Sequence, residues 1–274
     1  MRILDLRRPG SASAAQIDPK RKGAFTTGIV SSIGQHAVVL FMTGWRHAGE
    51  NLGQVLQHRA EQLPAPIQMC DALSRNTCGE FDAVLAHCLS HGRREFVPLA
   101  TSFPEQTRLV LEQLREVYQV DAQTKQLGLS GSQKLLHHQA HSQPVMEKLH
   151  GWMSQQLEQK QAEPNSGLGQ AIGYMLKHWE SLTLFLRQAG APLDNNVCER
   201  ALKMAILHRK NSLSYKTLNG SQAGDAFMSL IHSCRLNRIN PFGYLLAIAQ
   251  HPEQVNAQPL CARCLLGKED IAYA

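Results

Sequence analysis

"APLDNNVCERALKMAILHRKNS", residues 191–212, sets one acid, Glu199, among Arg200, Lys203, Arg209 and Lys210. Apolar Val197, Ala201 and Ala205, flanked by Cys198, Leu202 and Ile206, recur every four residues, which predicts a helix from about Val197 with one buried stripe. At roughly 100° per residue, Glu199, Lys203 and Lys210 fall within about 40° of one another. Three readings fit an acid on a cationic face. Asn196 with Glu199 three residues later has the spacing of a capping box, in which Glu199 accepts a backbone N–H. Glu199 can equally serve as a catalytic or metal-binding carboxylate, or as half of a surface ion pair.

Upstream, the grammar changes twice. "RILDL", "AFTTGIV" and "HAVVLFM" are short apolar or β-branched runs separated by Gly, Pro and Ser clusters, as strands are. "HAGENLGQVLQHRAEQL" (47–63) turns to helical periodicity, with Leu52, Val55, Leu56 and Leu63 on one side. "PIQMC" is a further strand with Asp71 directly after it, and "DAVLAHCLSHGRREFVPL" repeats strand then helix. Strands in series, then alternating with helices, predict an α/β sheet of mixed strand direction. From about Phe103 to Gln188 every segment reads as helix. The predicted organisation is a strand-containing part over 1–102, a helical insertion over 103–188, a closing helical part over 189–250 that carries Glu199, and a divergent tail over 251–274.

Composition narrows the class of protein. The chain has 274 residues, 43% of them hydrophobic, enough for one large domain or two small ones with a real core. A net charge of +6 and a pI near 9.0 lean toward polyanionic partners such as nucleic acid. No run reaches the roughly 18 apolar residues of a membrane span, so no membrane partner is expected. Seven cysteines without a secretion signal predict free thiols in a reducing cytoplasm. Cys261 and Cys264 form a lone CxxC, short of the four ligands a structural zinc needs. His137, His138 and His141 read as the solvated face of an amphipathic helix.

Asp71 ends a strand, where ligands of open α/β sheets gather, although it also suits the N-cap of a helix starting near Ala72. Paired with Glu199 across a helical insertion, it points to two hard cations roughly 4 Å apart that promote phosphodiester cleavage. The neighbouring Lys and Arg would then hold the phosphates of the strand being cut.

These stretches resemble transposases of the insertion sequence 66 family, members of the Asp-Asp-Glu group with a ribonuclease H-like core. The resemblance rests on "HAGENL" (47–52), "MCDALSRN" (69–76), "HCLSHGRREF" (87–96), "EPNSGLGQAIGYMLKHWESLTLFL" (163–186), "GAPLDNNVCERALKMAILHRKNS" (190–212) and "GDAFMSLIHSCRLNRINPFGYL" (224–245). It implies a ribonuclease H-like mixed sheet with a large, mainly helical insertion. Asp71 then matches the second catalytic aspartate and Glu199 the catalytic glutamate, both binding Mg²⁺ or Mn²⁺. Arg93 and Arg94, after His91, and Arg209 and Lys210, before Asn211, match basic stretches of the family. Together with Arg200 and Lys203 they are expected to contact DNA, either as transposon ends or as target, with ion pairing inside the core as the alternative for the two basic stretches.

Two departures qualify the match. The family's first aspartate lies upstream of "RILDL", and Asp5 does not match its position; Ser214 stands where an aromatic is usual. The expectation is therefore a fragment that is inactive by itself. It would work with an intact transposase or a second copy, or else be a non-catalytic DNA-binding remnant that competes with an intact transposase.

Overall fold

The runs "FTTGIVSSI", buried over its first six residues, and "HAVVLFMTG", with Val39 and Phe41 buried, pair as antiparallel strands β2 (Phe25–Ile33) and β3 (His36–Gly44). Strand β1 (Arg2–Arg7) joins the other edge of β2, also antiparallel, with Asp5 opposite Thr27. Gly34, at φ 58°, begins the tight β2–β3 turn that a side chain would strain. This is a computed structural model, and the residues it describes are 2–7, 25–34, 36–77, 79, 81–211, 215 and 217–253. Cys261, Cys264, Ser214 and most of the predicted tail lie outside them. The chain divides into two compact units, Met1–His58 with Val197–Ala274, and Arg59–Asn196.

In the first unit, α1 (Ala48–Leu56) starts at a capping box, where Glu50 Oε2 accepts the His47 N–H at 2.6 Å. Its Leu52 is fully buried, and Asn51 Nδ2 donates to Thr27 Oγ1 at 2.7 Å. Leu63, predicted for the same face, falls beyond the helix and is exposed. Helix α8 (Asn196–Asn211) begins within one residue of the predicted start. Its Cys198, Ala201, Leu202 and Ala205 pack with Val30, Val39 and Phe41.

The outer edge of β3 is closed by α9 (Leu218–Leu236) through a ladder of side chains. Backbone N–H groups of Thr43, Phe41, Val39 and Ala37 donate in turn to Asp225 Oδ2, Ser229 Oγ, Ser233 Oγ and Asn237 Oδ1, at 2.5, 2.9, 2.9 and 3.1 Å. The spacing is commensurate: four helical residues rise about 6 Å and two strand residues about 6.7 Å. An edge that would otherwise offer unpaired donors to another chain is thereby satisfied. Helix α10 (Pro241–Gln250) packs on α9.

The second unit opens with the parallel pair β4 (Ile67–Cys70) and β5 (Val84–His87). Helix α2 (Leu89–Phe96) and a 3₁₀ turn over Val97–Ala100 follow. Then come α3 (Pro104–Gln126), α4 (Gly131–His141), α5 (Gln143–Glu158), α6 (Gly167–Lys177) and the short α7 (Trp179–Leu182). Among the described residues 104–188 contain no strand, in keeping with the helical periodicity of their sequence. Phe96, Val110, Leu114, Met146, Leu149 and Ile172 make the core of this unit.

One polar network inside that core corrects the sequence reading. His138 is not on a solvated face; it is fully buried, with Nδ1 2.9 Å from Ser142 Oγ and Nε2 3.5 Å from Asp121 Oδ1. Lys134 and Lys125 pair with the same buried carboxylate, Lys125 at 2.5 Å. Leu136 is exposed instead. The inward face of α4 was chosen by the need to neutralise Asp121, which apolar periodicity does not register.

The protein is thus a mixed α/β structure, mostly helical with small sheets. No helix among the described residues is long and apolar enough to cross a membrane.

Candidate functional site

Strand β4 is buried along Gln68, Met69 and Cys70, and the chain emerges at Asp71, which is half-buried. No α-helix starts at Ala72. A 3₁₀ turn over Ser74–Asn76 follows, and Asp71 Oδ1 accepts the Leu73 N–H at 3.3 Å and a bond from Asn76 Nδ2. Asp71 therefore organises a loop rather than capping a helix. Buried Gln68 fixes the same loop by donating from Nε2 to the Asn76 carbonyl at 2.6 Å. The side-chain oxygen of Asn76 is buried and takes no hydrogen bond among the described residues.

The groups around Asp71 are neutral at pH 7. Burial, with the Asp71 charge second, pushes the Cys70 thiol up to about 12. Burial and His178 push the His87 imidazole down to about 4, against the pull of Asp71. Burial, then Glu95 and Asp71, raise the Tyr174 phenol to about 12. The His87 and His178 rings meet edge-on at 5.0 Å, and Tyr174 lies 4.9 Å from His178. Asp71 makes no ion pair among the described residues, and its Oδ2 takes no hydrogen bond there. A carboxylate oxygen left open among uncharged groups suits a hard divalent cation.

Glu199 sits in the first turn of α8 and is only 7% exposed, so it is not on the open cationic face its wheel position predicts. A carboxylate removed from water needs a compensating partner. The Asn196 N–H, which a capping box would give to Glu199, is accepted by Asp194 Oδ1 at 3.1 Å, and Asn196 Nδ2 donates to Asp194 Oδ2 at 2.6 Å.

The four cations of this helix divide into two kinds. Arg200, Lys203 and Lys210 are exposed, and with Met204 and Leu207 they form one stripe at three- and four-residue spacing. Arg209 is half-buried and donates to Thr26 Oγ1 at 2.7 Å. Thr26 Oγ1 lies 3.1 Å from Thr43 Oγ1, which donates to Asp225 Oδ1 at 2.8 Å. Arg209 thus ends a polar chain that begins at the β3 ladder.

On α2, Arg93 and Arg94 are exposed, and Arg94 Nη1 lies 3.3 Å from His91 Nε2. Gly92 faces the opposite way, where an added Cβ would sit 2.5 Å from Met175 Sδ and push the end of that side chain aside. The Leu89 N–H donates to the Leu193 carbonyl at 3.0 Å, and the Asn195 N–H to Cys88 Sγ at 3.3 Å. These bonds fix the segment that leads into α8.

His87, Tyr174 and His178 escaped the sequence reading. The i, i+4 spacing of Tyr174 and His178 was the available signal, but nothing in it points to Asp71. That neighbourhood exists because α6 and α7 pack beside the β4–β5 pair.

A sequence model described as "Transposase IS66 family" matches residues 24–223, which include both Asp71 and Glu199. The chain belongs to the IS66 transposase family. It is 34% identical over 169 residues to the uncharacterized protein y4jD of Sinorhizobium fredii (strain NBRC 101917 / NGR234), covering 61% of this chain and 32% of that protein. It is 31% identical over 184 residues to y4hP of the same strain, covering 61% and 33%. The chain therefore spans about a third of the length of the curated relatives it matches. No solved structure matches it.

Proposed function

We propose that this chain forms the DNA-handling catalytic part of a transposase, built on a ribonuclease H-like core into which 103–188 is inserted. The observation that carries the proposal is the family match across both acids. The antiparallel strands β1 to β3, the parallel pair β4 and β5, and the strand-free helical stretch support the fold reading. Asp71 and Glu199 are assigned as ligands of Mg²⁺ or Mn²⁺, for which carboxylate oxygens are the fitting donors. Bound, such ions supply an activated water or 3′-hydroxyl and stabilise the leaving oxygen.

The protein's own residues do the rest. Buried Cys70 and His87 and half-buried Tyr174 hold no charge at pH 7, so none of them competes with a cation for Asp71. Arg200, Lys203 and Lys210 are exposed and take DNA phosphates, as do Arg93 and Arg94. Arg209, bound to Thr26, acts by keeping α8 on the sheet.

The test is Mn²⁺ binding by the full chain, read by electron paramagnetic resonance, beside Asp71→Asn and Glu199→Gln. Loss of binding in each variant supports the assignment, and unchanged binding in both removes it. In parallel, the 274 residues are expected to bind duplex DNA in a salt-sensitive way without nicking it, since they match two of the family's three carboxylates. Mg²⁺-dependent nicking abolished by Glu199→Ala would overturn that expectation and turn attention to Asp5.

A further inference from the structure

A second site lies wholly within the Arg59–Asn196 unit, where α2, the Val97–Ala100 turn and α3 enclose a cavity of about 600 Å³. Residues 104, 107, 108, 111, 112, 115 and 118 recur at three- and four-residue spacing, so one face of α3 lines it. Three arginines line it: Arg93 from α2, and Arg108 and Arg115 from α3. Glu112 is the one acid in the lining. None of the three arginines makes an ion pair or a hydrogen bond among the described residues, unlike Arg187, which pairs with Glu180 at 3.0 Å.

The deeper wall carries two hydroxyls. Thr107 is 1% exposed and its Oγ1 has no hydrogen-bond partner among the described residues, while the Tyr118 phenol is met by the Ser90 side chain. Buried helical threonines ordinarily bond a carbonyl in the preceding turn, so an unpartnered hydroxyl beside a cavity is a donor held in reserve. Burial, then the Asp194 charge, raises the Tyr118 phenol against the Ser90 hydrogen bond and the Arg93 charge, so it stays protonated and able to donate. Ala100, Pro104 and Leu111 give the remaining wall an apolar surface.

This combination defines the chemistry of an occupant. Three unpaired guanidiniums against one carboxylate select an anion, and arginine forks suit phosphate oxygens. A bare phosphate would leave most of the volume empty, which lies in the range of pockets that enclose whole small molecules. The apolar wall calls for a flat or weakly polar body attached to the anion. We propose that this cavity binds a nucleoside phosphate unit, with the phosphate on Arg93, Arg108 and Arg115 and the nucleoside against Leu111 and Pro104. The unit can come from a free nucleotide or from an unpaired strand end of DNA. The proposal is independent of metal-dependent cleavage, because binding here needs neither Asp71 nor Glu199.

The experiment is calorimetric titration of the full chain with dAMP, in the absence of divalent metal. Binding should weaken about tenfold in Arg108→Ala and about tenfold in Arg115→Ala, each losing one charge-assisted contact. Both side chains are exposed, so circular dichroism and melting should match the wild type. Glu112→Gln should tighten binding by about threefold, a gain that misfolding cannot mimic. A 5′-phosphorylated single strand that displaces dAMP assigns the site to a strand end; failure to displace assigns it to free nucleotide. No binding of dAMP, affinity indifferent to both arginines, or inorganic phosphate binding as tightly as dAMP would each overturn the proposal.

Discussion

The regions around Asp121 and Asp71 place two aspartates of the same unit in opposite electrostatic settings. Asp121 is buried and met by Lys125, Lys134 and His138. Burial alone would raise its carboxyl, but bonds from His138, Lys125 and Lys134 hold it well below the usual carboxylate range. Asp71 is half-buried, and the Cys70, His87 and Tyr174 around it are uncharged at pH 7. The first acid is saturated by cations of the chain and serves the fold. The second keeps an oxygen open, which makes it the better candidate for an external cation.

Breaking the saturated acid should give the largest effect. Asp121→Asn is expected to lower the stability of the unit by about 3 kcal/mol, since the buried carboxylate loses its charge-assisted contacts with Lys125, Lys134 and His138. Chemical denaturation at pH 7 measures this. Because the folded pKa is depressed, the stabilisation is complete above the unfolded value near 4 and is lost as pH falls below it. The wild type should therefore lose this contribution between about pH 5 and the acid limit, while Asp121→Asn shows a flatter profile over the same range. Identical acid profiles would remove Asp121 from the account.

The β3 ladder should be next in size. Asp225→Ala removes the acceptor for both the N–H and the hydroxyl of Thr43, an expected loss of about 2 kcal/mol measured by urea unfolding. Ser229→Ala should lose about 1 kcal/mol. Because both changes bare part of the β3 edge, they should also increase concentration-dependent self-association in sedimentation.

Smaller effects sort the cations of α8. Arg209→Ala should cost about 1 kcal/mol in a thermal melt, because its bond to Thr26 belongs to the fold. Lys203→Ala with Lys210→Ala should leave the melt unchanged and make the dependence of log affinity on log salt shallower by up to about 2 for duplex DNA. The reverse pattern would exchange the two roles.

Among the acids, the smallest stability effect is expected at Asp71. Asp71→Asn should shift unfolding by less than about 1 kcal/mol, since the amide oxygen can still accept the Leu73 N–H. Mn²⁺ binding should nevertheless be lost. A large destabilisation would make Asp71 a second structural acid like Asp121.

The sequence by itself determined the elements and the family. Short β-branched or apolar runs such as "AFTTGIV" and "HAVVLFM", and helical periodicity from Phe103 to Gln188, are carried by neighbouring residues, so strand and helix could be read locally. The stretch 191–212 likewise yielded α8, its buried stripe and the resemblance that the match over 24–223 bears out. What only the tertiary structure decided is where polar groups find partners. Glu199 is buried although its wheel position suggested an open face, Arg209 belongs to the fold, and His138 is inside while Leu136 is out. The ladder from Asp225 to Asn237 was equally invisible, since its four-residue spacing has meaning only when a strand edge lies alongside. A side chain's apolar area is a property of the residue and can be read in sequence. A hydrogen bond or ion pair is a property of two residues, and most of the decisive ones here join segments far apart in the chain.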